Sequence, residues 1–198
     1  MTRAALAAAR LGRCREGSAL VEFALCVPVL VAIYFGLIAV TVGLNTDRKV
    51  ELVGRTIADL ASQAATMSCA DVQSTVGAAT AVLAPYDPTG TNVALALVSV
   101  SSGLQGTVAW SQARSITSGS GQQAAGTLPS GWTAGSTVSP IPGGFATAST
   151  SYLMTKVEKA YTPVVGSSVT GTLHLAHNLL WPVRTGTQVL WQGTTSCP

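Results

Sequence analysis

From Ser18 to Leu44 the chain holds a single charged residue, Glu22, in an otherwise apolar run. A helix needs roughly 20 apolar residues to cross hydrocarbon, and at about 1.5 Å per residue this run reaches around 40 Å. The pattern therefore predicts a membrane-spanning helix over 18–44, with length left for tilt or for projection at one end. No breaker follows Leu44. The spacing becomes amphipathic instead, with Val50, Val53, Ile57, Leu60, Ala61 and Ala64 on one stripe and the pairs Glu51/Arg55 and Arg55/Asp59 on the wet side. One helix is expected to leave the bilayer and continue under a globular head. A second helix is predicted over about 71–84, with Val72, Val76, Ala79 and Leu83 as its apolar stripe, stopped by Pro85-Tyr86-Asp87-Pro88-Thr89-Gly90.

Beyond residue 90 the period shifts toward two. Val93 to Val100 is apolar on both faces, as in a strand covered on both sides, and Thr107 to Gln112 is its expected partner across a Gly-bounded turn. Residues 113–150, rich in Gly, Ser, Thr and Pro, read as a long surface loop. Ser151 to Tyr161 is a third strand. Val169, Leu173, Leu175, Leu179 and Trp181 alternate with Ser168, Thr170, Thr172, His174, Asn178 and Leu180, which predicts a one-sided strand. The expected fold is α+β: a long N-terminal transmembrane helix continuing into an exported head over 45–198, with a second helix and a mainly antiparallel sheet of about four strands.

Charge orients this arrangement. Arg3, Arg10, Arg13 and Arg15, opposed only by Glu16, precede the apolar run, so the N-terminus is expected in the cytoplasm and the head outside. Residues 1–17 read as a basic targeting leader. The chain's net charge of +3 lies entirely in that leader, because the rest carries seven basic and seven acidic residues. Without a basic cluster to neutralise phosphates, nucleic acid is not an expected partner. The Gly, Ser, Thr and Ala richness with few charges suits a bacterial surface component better than a cytosolic enzyme. Of the four cysteines, Cys14 lies in the leader, Cys26 in the apolar run, and Cys69 and Cys197 in the exported part, where an oxidising compartment favours a disulfide over two free thiols. Within the apolar run, Ala32, Gly36, Ala39 and Gly43 share one helix face, a helix-packing surface or simply the small residues common in membrane helices. Pro28 either kinks that helix or is accommodated by neighbours.

Three processing schemes compete for the N-terminus. A secretory signal needs a shorter apolar core and a small-residue cleavage site, and a lipoprotein cysteine should follow its apolar run, whereas Cys26 precedes most of it. The third scheme cuts before the run. Glu16-Gly17-Ser18-Ala19-Leu20-Val21-Glu22-Phe23-Ala24-Leu25, with Pro28 soon after, resembles the type IVb prepilin processing motif, and within that class the TadE/TadF-like minor pseudopilins of tight-adherence (Flp) pilus systems. The resemblance implies a pilin-like fold and a cut between Gly17 and Ser18 by a membrane-embedded prepilin peptidase, in the bacterial inner membrane. It also implies that Glu22, then the fifth residue, with Phe23 beside it, pairs with the new amino terminus of a neighbouring subunit. The implied partners are other pilins or pseudopilins, the pilus secretion machinery and membrane lipid, with no cofactor. Further along, Trp110-Ser111-Gln112-Ala113, Tyr161-Thr162-Pro163 with Gly166, and Cys197 are similar to what such exported heads carry, while Trp181-Pro182-Val183-Arg184 departs from an expected Arg-Pro-Arg.

A charge at the bilayer centre costs about 2.5–3.5 kcal/mol on insertion scales, so Glu22 within the run asks for a function. The competing reading puts it at the interface near a helix N-terminus, where an acid gains only about 0.3–1 kcal/mol. Other chemistry is sparse. His174 and His177 fall on opposite faces of a strand, which disfavours a shared metal, and no Gly-x-Ser-x-Gly elbow is present. Trp110, Trp132, Trp181 and Trp191 read as core or subunit-contact aromatics. The leading expectation is a minor pseudopilin and not an enzyme. The alternative is an unprocessed single-pass membrane-anchored envelope module that binds a surface ligand through 113–150.

Overall fold

The structure is a computed structural model that describes residues 16–164, 167–193 and 197. The leader through residue 15, and Gly166, lie outside the described residues. Helix α1 runs from Glu16 to Gln63 as one element of 48 residues, so the apolar run and the amphipathic stripe are a single helix. Pro28 cannot donate a backbone hydrogen bond, yet it is accommodated without interrupting α1.

Short strand β1 (Thr66–Met67) leads into α2 (Cys69–Leu83). Ser68 caps α2 with a reciprocal box: its hydroxyl accepts from the Asp71 N–H, while the Asp71 carboxylate accepts from the Ser68 N–H at 2.8 Å and the Ser68 hydroxyl at 2.7 Å. Those two donors, the hydroxyl first and the backbone second, hold the Asp71 carboxyl below the usual carboxylate range. Its contribution is therefore complete above the ordinary carboxylate pKa and is lost as the pH falls through the lower folded value. Ser68→Ala is expected to cost about 1 kcal/mol at neutral pH, read by thermal melting, with the gap between variant and wild type narrowing in strong acid, where the carboxylate half of the box is lost and the hydroxyl cap on the Asp71 N–H stays.

The sheet is built from β2 (Thr91–Val100), β3 (Gly106–Ile116), β4 (Gln123–Ala125), β5 (Thr137–Val138), β6 (Ser151–Tyr161) and β7 (Leu173–Pro182). The order is β4-β3-β2-β6-β7, with β5 also on β3, and every pairing is antiparallel. The four long strands are the expected ones. A separate parallel pair joins β1 to β8 (Leu190–Trp191). α1 and α2 cover one face: Val50, Val53 and Ile57 of α1 and Val72, Val76, Ala79 and Leu83 of α2 bury against Val93, Leu95, Leu97, Leu153 and Val157. α1 comes so close to β7 that a Cβ at Gly54 would lie 2.5 Å from Leu179 Cδ1.

Several sequence expectations need correction. The 113–150 segment is not one loop, because β3 continues to Ile116 and residues 123–125 and 137–138 pair back onto it. Its Trp132, Val138, Ile141 and Phe145 close a second core on the other sheet face with Ala96, Val98, Val108, Tyr152 and Met154, which explains why β2 is apolar on both faces. The terminal strand begins at Leu173 rather than Val169, because Ser167–Thr170 forms a helical turn, α3, ended by Gly171 in the left-handed region at φ 65°. Leu60 is 43% exposed; Ala61 is buried as expected, and Ala58 joins it in place of Leu60. Glu51 pairs with Arg55, but Asp59 pairs with Arg184 at 2.9 Å rather than with Arg55.

Candidate assembly and anchoring surface

The membrane-type half of α1 stands clear of the head. Leu20, Val21, Phe23, Leu25, Val29, Leu30, Ile33, Tyr34 and Leu37 are all exposed, Phe23 at 67%. Taking a large apolar side chain out of water gains about 1.5–3 kcal/mol, so this surface carries on the order of tens of kcal/mol in favour of cover by lipid or by other helices. Gly17 and Ser18 belong to the first turns of α1. Glu22 is exposed amid this apolar surface, and among the described residues it has no hydrogen bond or ion pair. Cys26 is a free, exposed thiol on the same stretch.

The small-residue stripe divides in two. Ala32 and Gly36 are exposed, and nothing lies within 4 Å of the space a Cβ would take at Gly36. Ala39 and Gly43 instead face the chain's own head, where a Cβ at Gly43 would sit 3.7 Å from the Tyr161 ring. Just above, His177 Nε2 lies 2.8 Å from Asp47 Oδ1, joining α1 to β7. His174 is exposed on the opposite sheet face, as strand parity requires. The Asp47–His177 bridge was invisible in the sequence, since 130 residues separate its ends.

A second cluster closes the far end of α1. Cys69 and Cys197 form a disulfide with their Cα atoms 5.4 Å apart. The chain before Cys197 is held on both sides: the Arg184 N–H donates to the Ser62 carbonyl at 3.0 Å and the Thr185 hydroxyl to the Gln63 carbonyl at 2.8 Å. Trp110 Nε1 donates to the Val189 carbonyl at 2.8 Å, and the Cys197 N–H donates to Gln112 Oε1 at 3.0 Å. Trp110 also packs against Trp191, ring centroids 5.4 Å apart. The Trp110-Ser111-Gln112-Ala113 stretch thus holds the tail, and Tyr161-Thr162-Pro163 lies where α1 enters the head. The departing Trp181 packs against the main core, and Arg184 stacks over it at 5.6 Å while pairing with Asp59.

Comparison with known families places a match on this helical part. The family model described as TadE-like protein matches residues 17–65, which begins at the proposed cut and ends just past α1. No curated protein and no solved structure matches the chain.

Proposed function

Because residues 17–65 match the TadE-like family, we propose that this chain is a membrane-anchored minor pseudopilin that takes part in assembling a tight-adherence (Flp, type IVb) pilus. The observation that carries the reading is the continuity of α1: from Ala19 its first half is bare and apolar apart from Glu22, and its second half is the core helix of the head. Such a helix anchors in the inner membrane, offers a lateral face to neighbouring subunits, and fixes the head to whatever the anchor binds. Prepilin peptidase cuts between Gly17 and Ser18, leaving Glu22 as the fifth residue, within reach of a neighbour's new amino terminus. The head, outside the membrane, makes protein contacts. The chain is a peptidase substrate and not itself an enzyme. The alternative of an unprocessed binding module relied on a free 113–150 loop, and much of that segment is engaged in covering the second core.

N-terminal sequencing and intact-mass measurement of the protein recovered from membranes test the reading. The expected chain starts at Ser18. A chain that still starts before Ser18, in a host whose prepilin peptidase is active, overturns the processing step.

A further inference from the structure

A groove of about 310 Å³ opens where α1 meets the underside of the head. One wall is Ala39, Gly43 and Leu44 of α1; the other is Pro163, Leu173 and Leu175, on and beside β6 and β7. Every one of these six is apolar. The groove's one charged lining residue, Asp47, stands at the head end, where His177 holds it at 2.8 Å. Gly43 keeps the passage open, since the nearest head atom to a Cβ there, on Tyr161, is 3.7 Å away and any larger side chain would project into the space.

Height along the helix identifies what fills the groove. Ala19 to Ala39 rises about 30 Å, the thickness of the hydrocarbon core. With Ala19 at the cytoplasmic boundary, the groove mouth meets the boundary of the opposite leaflet. Its helix wall continues without a step into the exposed apolar surface below, through Val40 and Leu37. Beside the mouth the head presents Val164, 96% exposed, and Leu173, 41% exposed, which are costly in water and at home against acyl chains. Arg48 is exposed about 13 Å above Ala39 along the helix, and its long side chain can reach back toward the headgroup layer.

We infer that this groove is a lipid seat: an acyl chain of a phospholipid in the head-side leaflet enters it, and the head rests on the membrane through Val164 and Leu173. The inference rests on the membrane-anchored reading of α1 and goes beyond it by assigning the head its own contact with lipid. The seat holds the underside of the head against the membrane, because lifting helix and head together away from it exposes both walls to water.

The test uses the full-length protein reconstituted in phosphatidylglycerol/phosphatidylethanolamine vesicles that contain a phospholipid with a photoactivatable diazirine near the acyl terminus and a second with it near the carbonyl. Cross-linked peptides are mapped by mass spectrometry. Labelling of 163–175 as well as of 19–38 is the expected result, and Gly43→Phe should lower the yield on 163–175 roughly tenfold while leaving 19–38 unchanged, about the effect of removing two methylenes from apolar cover. Leu173→Ser, which leaves the helix wall intact, should lower it in the same direction. Labelling confined to 19–38 overturns the lipid seat while leaving the anchor standing, and absence of labelling on both overturns the anchor itself. Cross-links from 163–175 to a second copy of the chain in place of lipid also overturn the proposal.

Discussion

Glu22→Ala is expected to leave the protein synthesised, inserted and clasped by its disulfide, yet to lower its recovery with the assembled pilus or its pilin partners about a hundredfold. Two magnitudes separate the readings of this residue. An acid about one turn inside the hydrocarbon boundary and paired with a neighbour's ammonium group leaves that ammonium unpartnered when it is removed, which costs about 2–5 kcal/mol, around two orders of magnitude or more in association. An acid at the water interface near a helix N-terminus contributes only about 0.3–1 kcal/mol, which is less than about sixfold. Glu22 is exposed, has no partner among the described residues, and sits in a surface built for burial. Glu22→Gln keeps the size and hydrogen-bonding capacity and should share most of the defect if charge is the active property. Shearing, fractionation and immunoblotting against the wild type measure it. Wild-type recovery of both variants would show that the charge has no part in assembly.

The double variant Cys69→Ser, Cys197→Ser should lose about 2–5 kcal/mol of head stability and melt roughly 5–15 °C lower. The separation of 128 residues closes a long loop in the unfolded chain, which in the chain-entropy picture puts the effect near the upper end. The bond also seats Cys197 where its N–H meets Gln112, so its loss frees the tail that Trp110 and β1 otherwise hold. Thermal melting of the detergent-solubilised protein, with and without reductant, reads the effect, and intact mass should rise by one hydrogen per sulfur on reduction. An unchanged melting temperature would mean that the tail hydrogen bonds suffice without the bond.

Period and composition made much of this molecule legible beforehand. The α2 stripe Val72, Val76, Ala79 and Leu83 is buried residue for residue, because spacing of three and four leaves a short helix one face to bury. Leu60 misled because periodicity does not say which of two adjacent rows meets the sheet, and here small residues, Gly54 and Ala58, let α1 approach closely. The strands inside 113–150 were hidden by their length: three residues of Gln-Ala-Ala and two of Thr-Val carry no period, and only β3 gives them register. The same limit hid Asp59–Arg184, since the local partner Arg55 looked sufficient while the chosen one lay 125 residues on. The site followed this division. Gly17, Glu22 and Phe23 could be read as a linear motif, whereas the use of Gly43 by the chain's own head, and the Asp47–His177 bridge, exist only after folding.

The unbroken course of α1 makes it a lever with a fixed phase. Glu22 and Asp47 are 25 residues apart, close to seven full turns, so the two carboxylates leave the axis within about 20° of one another and about 37 Å apart in height. Whatever docks Glu22 therefore also chooses which way the sheet looks, and a single residue gained or lost between them would turn the head by about 100°. A small twist of the anchor, imposed by a neighbour within the bilayer, becomes a compass bearing for the head well beyond it.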